Sequence, residues 1–150
     1  MPALLAFTHH LAAFTLVAAL AVQFVAIRDS IDIMRARRLR IVDAVYGASA
    51  GLLLVVGLLR VFYFEKGAAF YFGNVFFIAK LTLFAAIGLL SLYPTLEFAA
   101  WRRALKLGQL PVVAQSKLHA IRRVLHWQLA GVVLILLCAA LMARGAGQVS

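Results

Sequence analysis

Hydrophobic residues lie along this chain in four long runs, separated by short stretches that are polar or basic. The runs cover residues 4–27, 41–64, 75–92 and 124–142. A helix needs about 20 apolar residues to cross the hydrocarbon core of a bilayer, and each run is near or above that length. The pattern predicts an all-α integral membrane protein, a four-helix bundle formed by a single domain over residues 1–150.

Composition supports a membrane protein and excludes an ordinary soluble domain. Hydrophobic residues make up 65% of the chain and charged residues 13%, and the mean hydropathy is +1.00. Soluble domains are usually about half apolar and about a quarter charged. Because the chain has only five acidic residues, an enzyme built on paired carboxylates is not expected.

The net charge is +10, but the basic residues are not spread over a soluble face as in a nucleic-acid-binding protein. They concentrate between the first and second runs and between the third and fourth. Short connections rich in Lys and Arg stay in the cytoplasm, so both chain ends are expected outside. The arrangement predicts a multi-pass membrane protein that contacts anionic phospholipid and no nucleic acid. The principal basic residues are Arg28, Arg35, Arg37, Arg38, Arg40, Arg102, Arg103, Lys106, Lys117, Arg122 and Arg123.

Several local signals predict how the runs are connected and packed. The small residues at positions 47–51 favour close approach of a neighbouring helix. Glu65 to Asn74 are expected to form an external loop, and Pro94 is expected to end or kink the third helix. A long helix is expected to begin near Pro111. The tail from Gly145 onward is expected to be disordered.

Two adjacent histidines lie near the start of the first run, which otherwise carries no ionisable residue. An imidazole inside a membrane span is costly unless something satisfies it. His10 shares a helix face with Phe14, whereas His9 shares a face with Leu20 and Gln23. Either face can be directed toward the other helices, and the sequence leaves both alternatives open.

Further polar residues are expected at the same end of the bundle as the histidines. His10 and Lys80 each lie less than two turns into runs that start outside, so the two are expected at similar depth. Arg60 and Tyr63, near the outer end of the second run, are expected slightly higher. Neutral imidazole is the usual iron ligand of b-type haem, and Lys or Arg can neutralise haem propionates. These residues predict a cationic, imidazole-bearing pocket.

The chain also carries six short motifs distributed over residues 4–142. They are Thr8-His9-His10-Leu11-Ala12-Ala13-Phe14, Arg35-Ala36-Arg37-Arg38-Leu39, Gly57-Leu58-Leu59-Arg60-Val61-Phe62-Tyr63, Glu65-Lys66-Gly67-Ala68-Ala69-Phe70-Tyr71, Phe77-Ile78-Ala79-Lys80 and Pro94-Thr95. Together they resemble a family of bacterial predicted membrane proteins with a domain of unknown function. That resemblance implies a membrane fold and no particular activity.

A second resemblance rests on His10 and Lys80. A histidine early in the first span and a lysine early in a later span are similar to the pattern of HemJ-type protoporphyrinogen oxidases. CopD-like membrane proteins of copper resistance are small helical bundles too. The HemJ resemblance implies haem binding with His10 as the iron ligand, whereas His9 has no counterpart in that pattern.

The favoured prediction is a multi-pass, haem b-binding redox protein of the bacterial inner membrane, with a porphyrin-related oxidoreductase activity. His10 is expected to be the axial ligand with His9 as its substitute, and Lys80, Arg60 and Tyr63 are expected to line the cofactor. A porphyrin or an electron-transfer protein is the expected partner, and a homo-oligomer is left open. The alternatives are a non-catalytic bundle or partner subunit, and a small copper transport component. Transport ranks last because one cysteine and three methionines are few soft ligands for copper.

Overall fold

The four hydrophobic runs form four long helices in a computed structural model, which describes residues 2–64 and 67–147. Glu65 and Lys66, which open the predicted external loop, and the last three residues of the predicted tail lie outside the described residues. The helices are α1 (Pro2–Ala26), α2 (Ile33–Leu59), α3 (Ala68–Phe72), α4 (Val75–Ala100), α5 (Arg102–Lys106) and α6 (Gln115–Ala143). A π-helical segment, Arg60–Phe64, follows α2 directly.

The predicted all-α membrane fold is confirmed. Within the described residues, four helical stretches are long and apolar enough to cross a membrane, and they are Pro2–Ala26, Ile33–Phe64, Val75–Lys106 and Gln115–Ala143. Each of the four contains one of the predicted hydrophobic runs or nearly all of it. The helices are longer than the runs because they continue into the polar connections.

α2 begins well before the second hydrophobic run because Asp32 caps it. Oδ1 of Asp32 accepts a hydrogen bond from the backbone N–H of Arg35 at 2.6 Å. Such a cap satisfies one of the first backbone donors of a helix and is worth about 1 kcal/mol. Several basic residues of the first connection therefore lie on an ordered helix rather than in a loop.

Pro94 lies inside α4 and does not end it, which excludes one of the two outcomes expected of this residue. A proline inside a helix removes one backbone hydrogen bond and costs about 3 kcal/mol. The turns after Pro94 bury two large side chains, Phe98 at 1% exposure and Trp101 at 4%, with ring centroids 5.0 Å apart. Burial of these aromatic side chains offsets the cost, so the helix continues to Ala100.

The four long helices pack as two antiparallel pairs. α1 runs along α2, and α4 runs along α6, whereas α1 meets α6 and α2 meets α4 over shorter stretches. Within the described chain, α1 and α4 make no contact and lie diagonally across the bundle. Arg122 ties the two basic connections together, because its Nε and Nη2 donate hydrogen bonds to the carbonyl oxygens of Ile27 and Arg28 at 2.9 and 3.0 Å. We call this end of the bundle the basic end.

The opposite end, called the loop end, holds α3, the start of α1 and the end of α6. The backbone N–H of Val75 donates a hydrogen bond to the carbonyl oxygen of Gly147 at 2.9 Å, and Nδ2 of Asn74 donates one to Ala146 at 2.9 Å. Asn74 is 2% exposed and needs such partners. The prediction of a disordered tail is therefore wrong as far as Gly147.

Buried apolar residues form two separate clusters. The loop-end cluster contains Val61, Tyr71 and Phe77, with Phe70, Leu81 and Met142 packed against them. The basic-end cluster is larger and draws on all four long helices. Its buried members are Leu16, Ala19, Leu20, Ile27, Ala36, Leu39, Tyr46, Ile87, Phe98, Trp101, Leu105, Leu118, Ile121, Leu125 and Val132.

Close helix approach occurs at Gly131 and not at the small-residue run of α2. Gly47 and Gly51 are exposed, and a Cβ added at either would meet nothing within 4 Å. A Cβ at Gly131 would lie 2.6 Å from Cδ1 of Ile87, so this glycine lets α6 approach α4. The packing prediction is wrong for Gly47 and Gly51, whose face of α2 is directed away from the other helices, whereas Ser49 is buried at 7% exposure and Ala50 packs against the basic-end cluster. These residues also match the G-x-S-x-G pattern, but an uninterrupted helix cannot form a nucleophile elbow.

Candidate functional site

His9 lies on the face of α1 that packs into the bundle. The same face carries Leu16, Leu20 and Gln23, whose exposures are 5%, 0% and 1%. The His9 ring lies against Gly57 of α2, where an added Cβ would be 3.4 Å from Cε1 of the ring. Gly57 therefore provides the space that the imidazole occupies between the two helices.

His10 lies on a different face, which the structure leaves exposed. Its ring Nδ1 donates a hydrogen bond to the carbonyl oxygen of Ala6 at 2.6 Å, within its own helix. Phe14, one turn further along the same face, is 74% exposed. Of the two histidines, the structure thus directs His9 toward α2 and His10 away from it.

Lys80 and Arg60 are half-buried near the level of His9. Two contacts set this level: His9 of α1 lies beside Gly57 of α2, and Thr95 of α4 lies beside Asp43 of α2. Gly57 is 14 residues beyond Asp43, and α4 runs antiparallel to α2. A step of about the same length back along α4 from Thr95 reaches Lys80, which therefore lies at the depth of Gly57. Nζ of Lys80 lies 5.2 Å from the centroid of the Phe77 ring, within the range of a cation–π contact.

Tyr63, which the sequence predicts beside the same pocket, is 76% exposed and is not brought together with His9. Arg60 and Tyr63 both lie in the π-helical segment that ends the second span. Its wider turn changes the direction of these side chains relative to a continuous α-helix. Short π-helical segments occur frequently at functional sites.

A second polar layer lies nearer the basic end and links three long helices. Nε2 of Gln23 in α1 donates a hydrogen bond to Oδ1 of Asp43 in α2 at 3.1 Å. Oγ1 of Thr95 in α4 donates to the same oxygen at 3.1 Å. Asp43 is 8% exposed, and none of the ion pairs found in the described chain involves it. The carboxylate is thus held by neutral donors.

Gln128 adds a polar side chain from the fourth long helix at a similar depth. The ring of His126, two residues before it, lies 6.3 Å from that of Phe24, the neighbour of Gln23. Gln128 is 1% exposed, and within the described residues neither its Nε2 nor its Oε1 has a hydrogen-bond partner. Each long helix therefore contributes a polar side chain to this layer: Gln23 from α1, Asp43 from α2, Thr95 from α4 and Gln128 from α6.

The two polar layers are well separated along the membrane normal. Fourteen residues separate His9 from Gln23 on α1, and the same number separates Asp43 from Gly57 on α2. At 1.5 Å per residue this corresponds to about 21 Å. The layers are therefore independent sites within one bundle.

The remaining histidines do not build a metal site. His119 and His126 are exposed, and Nδ1 of His119 donates a hydrogen bond to the carbonyl oxygen of Gln115 at 2.7 Å. Over the part of the chain that the structure describes, no three side chains of His, Cys, Asp or Glu come together as metal ligands would.

Comparison with known families agrees with this architecture. A family described as predicted membrane proteins (DUF2214) matches residues 1–147. The chain belongs to this family. No curated protein and no solved structure matches this DUF2214 protein, so neither comparison returned a HemJ-type oxidase or a CopD-like protein. The family description establishes a membrane protein and names no activity.

The polar layer around Asp43 is not predicted by the sequence pattern of this DUF2214 protein. Read along the chain, Asp43 suits the start of a helix, and Gln23 and Gln128 are isolated amides in apolar surroundings. One signal does point to the layer. Each long helix carries a polar residue in the half that lies nearer the basic end, namely Gln23, Asp43, Thr95 or Gln128. Antiparallel packing brings these four halves together at the same end of the bundle.

Proposed function

We propose that this protein is a haem b-binding redox protein of the bacterial inner membrane and that the haem is held near the loop end. The position of His9 carries the proposal, because its imidazole lies on the buried face of α1 at the depth of Lys80. Ionisable side chains at membrane depth face bundle interiors when they have a function. Arg60 lies three residues beyond Gly57, against which His9 packs.

Each residue has a distinct task in the proposal. His9 presents a neutral ring nitrogen as the axial ligand, which His10, on the exposed face, is less suited to do. Lys80 and Arg60 provide positive charge for the two propionates, and Phe77 contributes an apolar wall that excludes water. Bound haem would supply one-electron redox chemistry, while these side chains set its environment.

The way the helices are paired suggests where a flat ligand would enter. On α2, Gly57 lies between Leu53, which packs on the basic-end cluster, and Val61 of the loop-end cluster. The α1–α2 and α4–α6 pairs also contact each other over shorter stretches than the helices within each pair. In the proposal, a macrocycle would enter between the pairs at the level of His9, where fewer contacts would have to separate than within either pair.

A porphyrin substrate or an electron-transfer partner would use the same positive charge at Lys80 and Arg60, which keeps a porphyrin-related oxidoreductase activity within the proposal. A copper transport component has no comparable support, since the chain has one cysteine and three methionines and the described residues bring no three His, Cys, Asp or Glu side chains together. A non-catalytic bundle is the outcome if haem does not bind.

The test is the absorption spectrum of the full chain purified in detergent from haem-replete cells. We expect a Soret band with the α and β bands of a b-type haem. His9→Ala should abolish the Soret band, since the axial ligand is the main bond between iron and protein. His10→Ala and His126→Ala are matched controls and should retain it. A colourless wild-type protein would overturn the proposal, and loss of the band in His10→Ala alone would move the ligand to the exposed face.

A further inference from the structure

A crevice opens between α2 and α5 at the basic end of the bundle. Its volume is about 500 Å³. The backbone carbonyl of Leu105 in α5 accepts a hydrogen bond from Nη2 of Arg37 in α2 at 3.3 Å, which braces one wall against the other. The crevice is lined by Arg37, Arg40, Ile41, Ala44, Leu105 and Lys106.

The crevice is strongly cationic, and each acidic residue that the structure describes is engaged elsewhere. Three of its six lining residues are basic and none is acidic. The four described acids have other partners: Asp29 pairs with Arg35, Asp32 caps α2, Asp43 binds Gln23 and Thr95, and Glu97 pairs with Lys117 at 2.8 Å. The charge of the crevice is therefore left for an anion from outside the chain.

Below the basic residues, the same face of α2 is apolar and open. Ile41 is 65% exposed, and Ala44, Ala48 and Gly51 follow it at helical spacing on that face, all exposed. An added Cβ at Gly51 would meet nothing within 4 Å. The small side chains leave a shallow groove that leads from the crevice toward the middle of the bilayer.

We infer that this crevice is a binding site for one anionic phospholipid, with the phosphate at Arg37, Arg40 and Lys106. The guanidinium groups match phosphate oxygens in charge and in bidentate geometry. One acyl chain lies along Ile41, Ala44 and Ala48. Basic pockets beside membrane helices on the cytoplasmic side bind anionic headgroups in this way. The site is independent of the proposed haem, which lies at the other end of the bundle.

The proposal is distinct from general attraction of a basic surface to an anionic membrane. General attraction depends on the number of charges at the basic end and not on which residues carry them. A defined site requires the three crevice residues in particular. Arg38, Arg102 and Arg103 are exposed at the same end but do not line the crevice, so their removal makes a control of equal charge.

The experiment is native mass spectrometry of the full chain in detergent, titrated with phosphatidylglycerol or with phosphatidylcholine of the same acyl chains. We expect one phosphatidylglycerol to be retained in preference to phosphatidylcholine. In the variant R37Q/R40Q/K106Q, the affinity should fall about a hundredfold if each cation contributes about 1 kcal/mol. The variant R38Q/R102Q/R103Q should keep the wild-type preference. Equal loss in both variants would overturn the site.

Two further measurements distinguish a bound lipid from other possible occupants of the crevice. Inorganic phosphate, titrated alone, should be retained much less than the lipid, and equal retention would make the crevice a site for free phosphate. Ala44→Leu fills the groove on an exposed helix face and should weaken phosphatidylglycerol binding without lowering the melting temperature. A dimer in the wild type that R37Q/R40Q/K106Q converts to a monomer would instead assign the crevice to a second copy of the chain.

Discussion

The side-chain amide of Gln23 donates a hydrogen bond to the carboxylate of Asp43 at 3.1 Å and joins α1 to α2 inside the bundle. Both side chains are buried, at 1% and 8% exposure. Burial of polar groups away from water is tolerated only when their hydrogen bonds are made. This pair therefore favours one register of the two helices, since a shift by one residue would break a hydrogen bond between two buried groups.

Removal of one member of this pair should destabilise the protein more than removal of both. Asp43→Leu leaves the buried Gln23 amide without its acceptor, and Gln23→Leu removes one of the two donors to the buried Asp43 carboxylate, at a cost of about 1–3 kcal/mol in each case. The double variant replaces both groups with apolar side chains, so its stability should lie closer to that of the wild type. Thermal unfolding in detergent, followed by circular dichroism, measures the four proteins. Strictly additive effects would mean that the hydrogen bond contributes no coupling.

Gln128 should respond in the opposite direction. Its amide is buried at 1% exposure, and both polar atoms lack partners within the described residues. Gln128→Leu removes a desolvation cost of about 1–3 kcal/mol and should raise the melting temperature or leave it unchanged. The same unfolding assay tests this variant. A marked loss of stability would show instead that a buried water or another ligand uses the amide.

Gly131 should tolerate a large side chain poorly, whereas Gly51 should tolerate one well. A Cβ at Gly131 would lie 2.6 Å from Ile87, but one at Gly51 would meet nothing within 4 Å. Overpacking of this kind costs about 1–3 kcal/mol. Gly131→Leu should therefore lower the melting temperature in detergent, with Gly51→Leu as the matched control. Equal melting temperatures would show that α4 and α6 are not in close contact at this point.

The orientation of the protein in the membrane stays a prediction from the positive-inside rule. A cysteine at Ala69, exposed in α3 at the loop end, should react with an impermeant thiol reagent added to intact cells. A cysteine at Arg38, exposed at the basic end, should react only after permeabilisation. Both variants need Cys138→Ala as background to remove the native thiol. The reverse labelling pattern would contradict this orientation.

The number of spans and the position of the basic connections could be predicted from the order of residues alone. Both are local properties, because the length of an apolar run and the charge of a short loop act without any tertiary contact. The position of His9 and His10 near one end of the first span could be predicted for the same reason, because it depends only on where they lie within the run. The ends of the helices could not be predicted from the apolar runs, because a capping residue such as Asp32 extends α2 beyond its run.

Which face of each helix is buried depends on how the helices pack against one another. On α1 the hydropathy is high on all sides, so sequence could not choose between the faces of His9 and His10. Packing against Gly57 made that choice. The contact between Gln23 and Asp43 likewise depends on the register between helices, as does that between Gly131 and Ile87. Register is a relation between distant segments, and it arises when buried polar groups and interlocking side chains satisfy one another across the bundle.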